Sequence, residues 1–166
     1  MPRTAPDPQP LPMPGDEAID FGPLAGSLGF LLRLSQLQSF ANFFHEMDGF
    51  NVRPGEISVL MLMAQNPGVR QGVLARALHI KRAHMTKMIR AMETAGIVTR
   101  TVPEDDRRSV ELWLTDKGRK RLMAMQQPFL SHETRNTTGL TDAEEAQLKA
   151  LLRKYIGLDS QGPKES

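Results

Sequence analysis

What most constrains this chain lies between residues 82 and 114, where the spacing of apolar residues changes from helical to alternating. Met85, Met88, Ile89 and Met92 recur at three- and four-residue intervals within Arg82 to Ala95, the pattern of one buried helix face, and Gly96 stops it. Val98-Thr99-Arg100-Thr101-Val102 and Val110-Glu111-Leu112-Trp113-Leu114 then alternate as two strands do, joined by the polar loop 103–109. Just upstream, Val73, Leu74, Ala77 and Leu78 mark a short helix that closes at about His79-Ile80. Short helix, second helix and hairpin in that order form a winged helix-turn-helix.

The flanks are helical. Leu24 to Met47 carries two interleaved apolar stripes, so it is expected to be a helix buried on more than one side, with a partner subunit as the second surface; Asp48-Gly49 stops it. Pro54 suits the first turn of a helix bearing Ile57, Leu60, Met61 and Ala64, which Asn66-Pro67-Gly68 ends. Thr115 can cap a long helix from Asp116, with Leu122, Met125 and Phe129 inside and Pro128 as a bend. Thr141 and Glu144 have capping-box spacing and open a last helix with Leu148, Leu151, Leu152, Tyr155 and Ile156 on one face.

The expected fold is therefore mainly α with a small β-hairpin wing, a winged helix-turn-helix domain plus a helical region drawn from both ends of the chain. The layout is a disordered Pro-rich tail at 1–20, a helix at 21–50 with a partner subunit as its second surface, the winged helix-turn-helix region at 51–115, helices at 116–158 and a flexible tail at 159–166. Six of the twelve prolines fall in the first fourteen residues, which favours extended solvated backbone.

Charge is unevenly placed. Residues 70–121 hold thirteen Lys/Arg against six acids, a net +7 that leaves −5 elsewhere in a chain of net +2. A basic middle points to a polyanion partner, although a solvated face gives the same totals. Without cysteine there is no disulfide framework and no thiol-oxidation sensor. The four histidines are scattered with no i, i+4 pair, so no metal site is expected, and no cofactor is implied. No nucleophile elbow, phosphate loop or His-Glu-x-x-His motif supports an enzyme. No apolar run is long enough to span a bilayer and no signal-like stretch follows Met1, so a soluble cytoplasmic protein with no membrane partner is expected.

The string Leu74-Ala75, Leu78-His79-Ile80, Met85-Thr86-Lys87-Met88-Ile89, Met92-Glu93, Gly96-Ile97-Val98, Asp106-Arg107-Arg108 and Leu114-Thr115-Asp116-Lys117-Gly118 resembles the MarR family of bacterial transcriptional regulators. The likeness covers residues 24 to 157 and is densest from 74 to 118. It implies a homodimer joined through its terminal helices, with two winged domains binding an inverted repeat in double-stranded DNA, most often as a repressor. The alternative from another class is a winged-helix adaptor that binds protein without specific DNA binding.

An α-helix fits the major groove, where side chains reach base edges. The recognition residues expected on the helix 82–95 are Arg82, Ala83, His84, Thr86, Lys87 and Arg90. By the resemblance, Arg108 at the wing tip enters the minor groove, Asp106 orients it and Arg107 contacts phosphate. Where the family commonly has Thr or Ser at three helix starts, this chain has Arg53, Arg70 and Lys81, which are expected to be phosphate contacts.

Six of the seven phenylalanines precede residue 51. Phe40, Phe43, Phe44 and His45 cluster where the family's effector pocket lies, between the first long helix, the second helix and the long helix after the wing; they either line an apolar pocket or form plain core. The stretch 28–37, with Arg33, is similar to the branch that senses aromatic acids as CoA thioesters. The candidate effector pocket is thus Arg33, Phe40, Phe43, Phe44 and His45, for a small aromatic molecule.

Overall fold

The structure, a computed structural model, describes residues 19–103, 109–134 and 139–158. Both tails and the wing-tip residues Asp106, Arg107 and Arg108 lie outside the described residues. The chain divides into two compact units, one of Gly26–Thr134 and one of Met1–Ala25 with Arg135–Ser166.

The larger unit begins with α1 (Leu28–Glu46). The helix starts four residues later than the apolar pattern suggests. Gly22 has a positive φ and Gly22–Gly26 is a 3-10 turn, after which Ser27 is extended and serves as N-cap. The stop also differs: Asp48–Phe50 is a second 3-10 turn, and it is Asn51, not Gly49, that takes the left-handed conformation leading into α2 (Pro54–Gln65).

A strand that the sequence pattern does not announce follows, β1 (Val69–Arg70), which then leads into α3 (Gln71–Ala77), α4 (Arg82–Thr94), β2 (Val98–Thr101) and β3 (Glu111–Leu114). The sheet is three-stranded and antiparallel in the order β1-β3-β2, with Val69 opposite Leu112 and Arg100 opposite Leu112 on the other side. Two residues are too short to show alternation. The strand exists because Gly68 N–H donates to the Leu112 carbonyl at 3.1 Å and Gln71 N–H to that of Val110 at 2.8 Å, which anchors both ends. Gly68 has φ +76°, and a Cβ there would lie 2.7 Å from the Trp113 ring, so both backbone and space call for glycine.

One apolar core joins these elements. Ile57, Val59, Leu60 and Met63 of α2, Met85, Ile89 and Met92 of α4, Leu112 of β3, and Leu122 and Met125 of α5 (Asp116–Thr134) are buried together with Phe43 and Met47 of α1. The inward stripes expected for α4 and α5 are present, with Met88 and Phe129 packed against the buried residues; in α2 Ile57 and Leu60 are buried and Met61 packs against the core, but Ala64 is exposed and Val59 and Met63 are buried in its place. In α3 the buried pair is Leu74 and Ala75, whereas Val73 and Ala77 face solvent. Pro128 lies within α5.

The turn between α3 and α4 is closed by His79 at φ +51°. A non-glycine residue there is strained, so His79→Gly is expected to stabilise the unit by up to about 1 kcal/mol, read as a rise in urea midpoint. An unchanged or lower midpoint would mean that the imidazole contributes more than the backbone strain costs.

In the smaller unit, α6 (Asp142–Tyr155) carries the expected capping box: Glu144 N–H donates to Thr141 Oγ1 at 3.3 Å, and Thr141 N–H donates back to Glu144 Oε2 at 2.8 Å. Those bonds, chiefly from the Thr141 backbone, lower the Glu144 carboxyl below its usual 4.5. A depressed carboxyl pKa contributes stability above the unfolded value and loses it as pH falls through the folded one. Amide exchange in the first turn of α6 is therefore expected to quicken as pH drops below about 4.5, relative to intrinsic rates, and Glu144→Gln, which removes the titrating group, is expected to abolish that dependence. None of the described residues of α6 is buried: Leu148, Leu151 and Tyr155 are exposed, Tyr155 at 65%. Among the described residues no helix is long and apolar enough to cross a membrane.

Candidate nucleic-acid interface

Burial of Met85, Ile89 and Met92 fixes the rotation of α4, and rotation decides which residues face out. Arg82, Ala83, His84, Lys87 and Arg90 are all exposed. Thr86, the remaining recognition candidate, is half-buried and accepts a hydrogen bond from Gln71 Nε2 at 3.0 Å. That bond ties the first residue of α3 to α4 and so sets the spacing of the helix-turn-helix. Gln71 Oε1 is buried without a partner among the described residues.

Each of the three cations expected at helix starts is an N-cap residue, Arg53 for α2, Arg70 for α3 and Lys81 for α4, the first two in extended backbone. None caps its helix through its side chain, since guanidinium and ammonium have no acceptor. At α2 only the return bond of a capping box forms, with the Arg53 N–H donating to Glu56 Oε2 at 3.0 Å. All three are exposed, and Arg70 also belongs to β1 opposite Glu111.

The wing is joined to α4 by an ion pair, Arg100 Nε to Glu93 Oε2 at 2.8 Å, which sequence spacing did not reveal. Where the chain leaves β3, Thr115 Oγ1 donates to the Gly96 carbonyl at 2.7 Å and accepts from Gly118 N–H at 3.0 Å. Lys117 Nζ reaches the Ala95 carbonyl at 2.8 Å. The end of α4, the base of the wing and the start of α5 are thereby held at one junction.

The effector candidates separate. Phe43 is buried, edge-on to Phe44 at 5.7 Å and to Phe129 at 6.2 Å between ring centroids, and belongs to the core. Arg33 and Phe40 are exposed on α1, and the side chain of His45 lies outside the described residues. Phe44 instead borders a cleft of about 570 Å³ between the end of α1, the start of α2 and α4, with Met47, Arg53, His84, Lys87 and Met88 among its walls. Among the described residues no group of three or more His, Asp or Glu is placed to hold a metal ion.

The comparisons with known proteins agree with this geometry. The MarR family profile matches residues 52–110. The transcriptional repressor CouR bound to a 23-mer DNA duplex superposes with a TM-score of 0.78 at 34% identity, covering 84% of this chain and 99% of that one. CouR bound to p-coumaroyl-CoA superposes with a TM-score of 0.71 at 33% identity, over 83% and 98% of the two chains. A putative transcriptional regulatory protein for the hcr operon of Thauera aromatica is 32% identical over 143 residues, 86% of each chain. With the winged helix, the outward basic face of α4 and these relatives in agreement, the chain belongs to the MarR family and is a transcriptional regulator, not an enzyme.

Proposed function

We propose that the chain is a homodimeric, cytoplasmic repressor that binds an inverted-repeat operator and is released by a small aromatic ligand or its CoA thioester. The observation that carries the DNA-binding part is the exposed set Arg82, His84, Lys87 and Arg90 on a helix whose opposite face is locked into the core. Arg53, Arg70 and Lys81 act as phosphate contacts, and Asp106, Arg107 and Arg108 form the minor-groove tip. The exposed apolar residues of α1 (Leu28, Leu31, Leu37) and of α6 (Leu148, Leu151, Tyr155) support dimerisation through both ends of the chain. The CoA-thioester part is supported by the p-coumaroyl-CoA complex of CouR.

Duplex from the region upstream of its own gene, titrated with salt in a gel-shift assay, tests this reading. The expected result is sub-micromolar binding that weakens steeply with salt. Arg108→Ala is expected to lower affinity across sequences, whereas His84→Ala and Lys87→Ala change which bases are preferred. A flat salt response with only micromolar binding supports the protein-binding adaptor instead, and a monomer in sedimentation at working concentration overturns the dimer.

A further inference from the structure

The outward face of α4 is uniform in its chemistry. From residue 82 to 91 its exposed side chains are Arg82, Ala83, His84, Lys87, Arg90 and Ala91, three cations, an imidazole and two methyl groups. Among the described residues no hydrogen bond or ion pair engages the side chains of Arg82, His84, Lys87 or Arg90. The acceptor-bearing groups nearby are spent. Glu93, the acid of α4, pairs with Arg100 at 2.8 Å. Gln71 gives its carboxamide N–H to Thr86 at 3.0 Å, and its Oε1 is buried. Glu56, beside His84 and Lys87, accepts the Arg53 N–H at 3.0 Å.

Base edges in the major groove differ in what they ask of a side chain. Adenine presents a donor beside an acceptor, which Asn or Gln matches, and cytosine presents a donor, which a carboxylate matches. Guanine presents two acceptors, N7 and O6, to which a cation or an imidazole N–H donates; thymine presents one acceptor and a methyl group. A face of free donors and bare methyls therefore suits guanine and thymine and offers little to adenine or cytosine.

The N-terminal half of a recognition helix is the part that meets base edges. There Lys87 stands three residues from His84 and four from Ala83, the spacing at which helical side chains are neighbours. At ~1.5 Å per residue the three span about 6 Å of helix axis, fewer than two base-pair steps of ~3.4 Å. We propose that each operator half-site carries guanine, read in the major groove at N7 and O6 by His84 and Lys87, with a thymine methyl against Ala83 within two base-pair steps. The assignment rests on the DNA-binding reading above and names the bases that reading leaves open.

The full chain is used to select from a duplex library with a random core, and the selected half-site is then altered one group at a time. Guanine with thymine within two steps is the expected core. Putting 7-deazaguanine, which lacks the N7 acceptor, at that guanine is expected to weaken binding about tenfold. Hypoxanthine there keeps N7 and O6 and lacks only the minor-groove amino group, so affinity should stay within about twofold. Uracil in place of the thymine removes one methyl and is expected to cost about threefold. Lys87→Gln, which supplies a donor–acceptor pair, is expected to move the preference at its position from guanine to adenine.

A selected core without guanine, or 7-deazaguanine bound as tightly as guanine, overturns the proposal. A hypoxanthine effect as large as that of 7-deazaguanine puts the reading in the minor groove and overturns it too. Lys87→Gln weakening all sequences alike marks a phosphate contact and removes Lys87 as a reader, and uracil bound as tightly as thymine removes the Ala83 contact. In each of these cases duplex is still bound and the regulator reading stands. A library that yields no salt-dependent duplex binding sinks the regulator reading and this assignment with it.

Discussion

Replacing Gly118 with alanine is expected to destabilise the larger unit by about 3 kcal/mol or more, the range reached when a well-packed site has no room to yield. Gly118 sits in the first turn of α5, and a Cβ built there collides with the Ile97 carbonyl and crowds the Ile97 side chain. Neither neighbour can retreat. Thr115 N–H donates to that same carbonyl at 3.0 Å, and the Thr115 hydroxyl binds Gly96 on one side and Gly118 on the other. At about 2–4 °C per kcal/mol for a chain of this size, Tm should fall by roughly 6–12 °C. Gly29→Ala, where a Cβ meets nothing within 4 Å, serves as the control and should stabilise α1 by about 1 kcal/mol. If both variants melt within about 1 °C of wild type, the junction is looser than its geometry implies.

The second large effect concerns DNA. In Arg70→Thr combined with Lys81→Ser, each helix start gains a side-chain acceptor and loses a cation that opposes its dipole, so stability should rise by about 0.5–1 kcal/mol per cap. Each phosphate contact contributes about 0.9 to the slope of log K against log salt, so losing two contacts per protomer in a dimer should reduce that slope by roughly 3 to 4. Affinity at moderate salt then drops steeply even as the protein becomes harder to melt. Stability that rises while the slope holds steady excludes Arg70 and Lys81 as phosphate clamps.

How much was legible in the residue order depended on how local each cause is. The α4 face was readable because its three buried side chains recur at the helical period, and burial of those three dictates the exposed set. The Thr-x-x-Gly restart was readable as a motif, although its reason, the Ile97 carbonyl, lies twenty-one residues upstream of Gly118. Strand β1 was not, because partners in β3 make it a strand and its own two residues carry no pattern. The turns at Asn51 and His79 were placed only approximately, since each puts a residue with a side chain where glycine is the usual signal.

The cleft was the least legible feature. Consecutive helical residues point about 100° apart, so a cluster of aromatics in sequence says little about which ring goes where. Phe43 turns into the core toward Phe129, and Phe44 turns to the cleft with His84 and Lys87, forty residues downstream. The bond from Gln71 to Thr86 was equally out of reach, since both partners lie on different helices and neither type is distinctive.

The packing of Trp113 on Gly68 has a practical side. Trp113 is the sole tryptophan of the chain and sits at the joint of β1 with β3, while Tyr155, the sole tyrosine, sits on α6. Excitation at the red edge of the ultraviolet band therefore reports the base of the wing by itself, and in Trp113→Phe the remaining tyrosine signal reports the C-terminal helix by itself. The molecule carries one optical label in each half, so the order in which the two halves melt, or respond to a bound duplex, can be followed without attaching a dye.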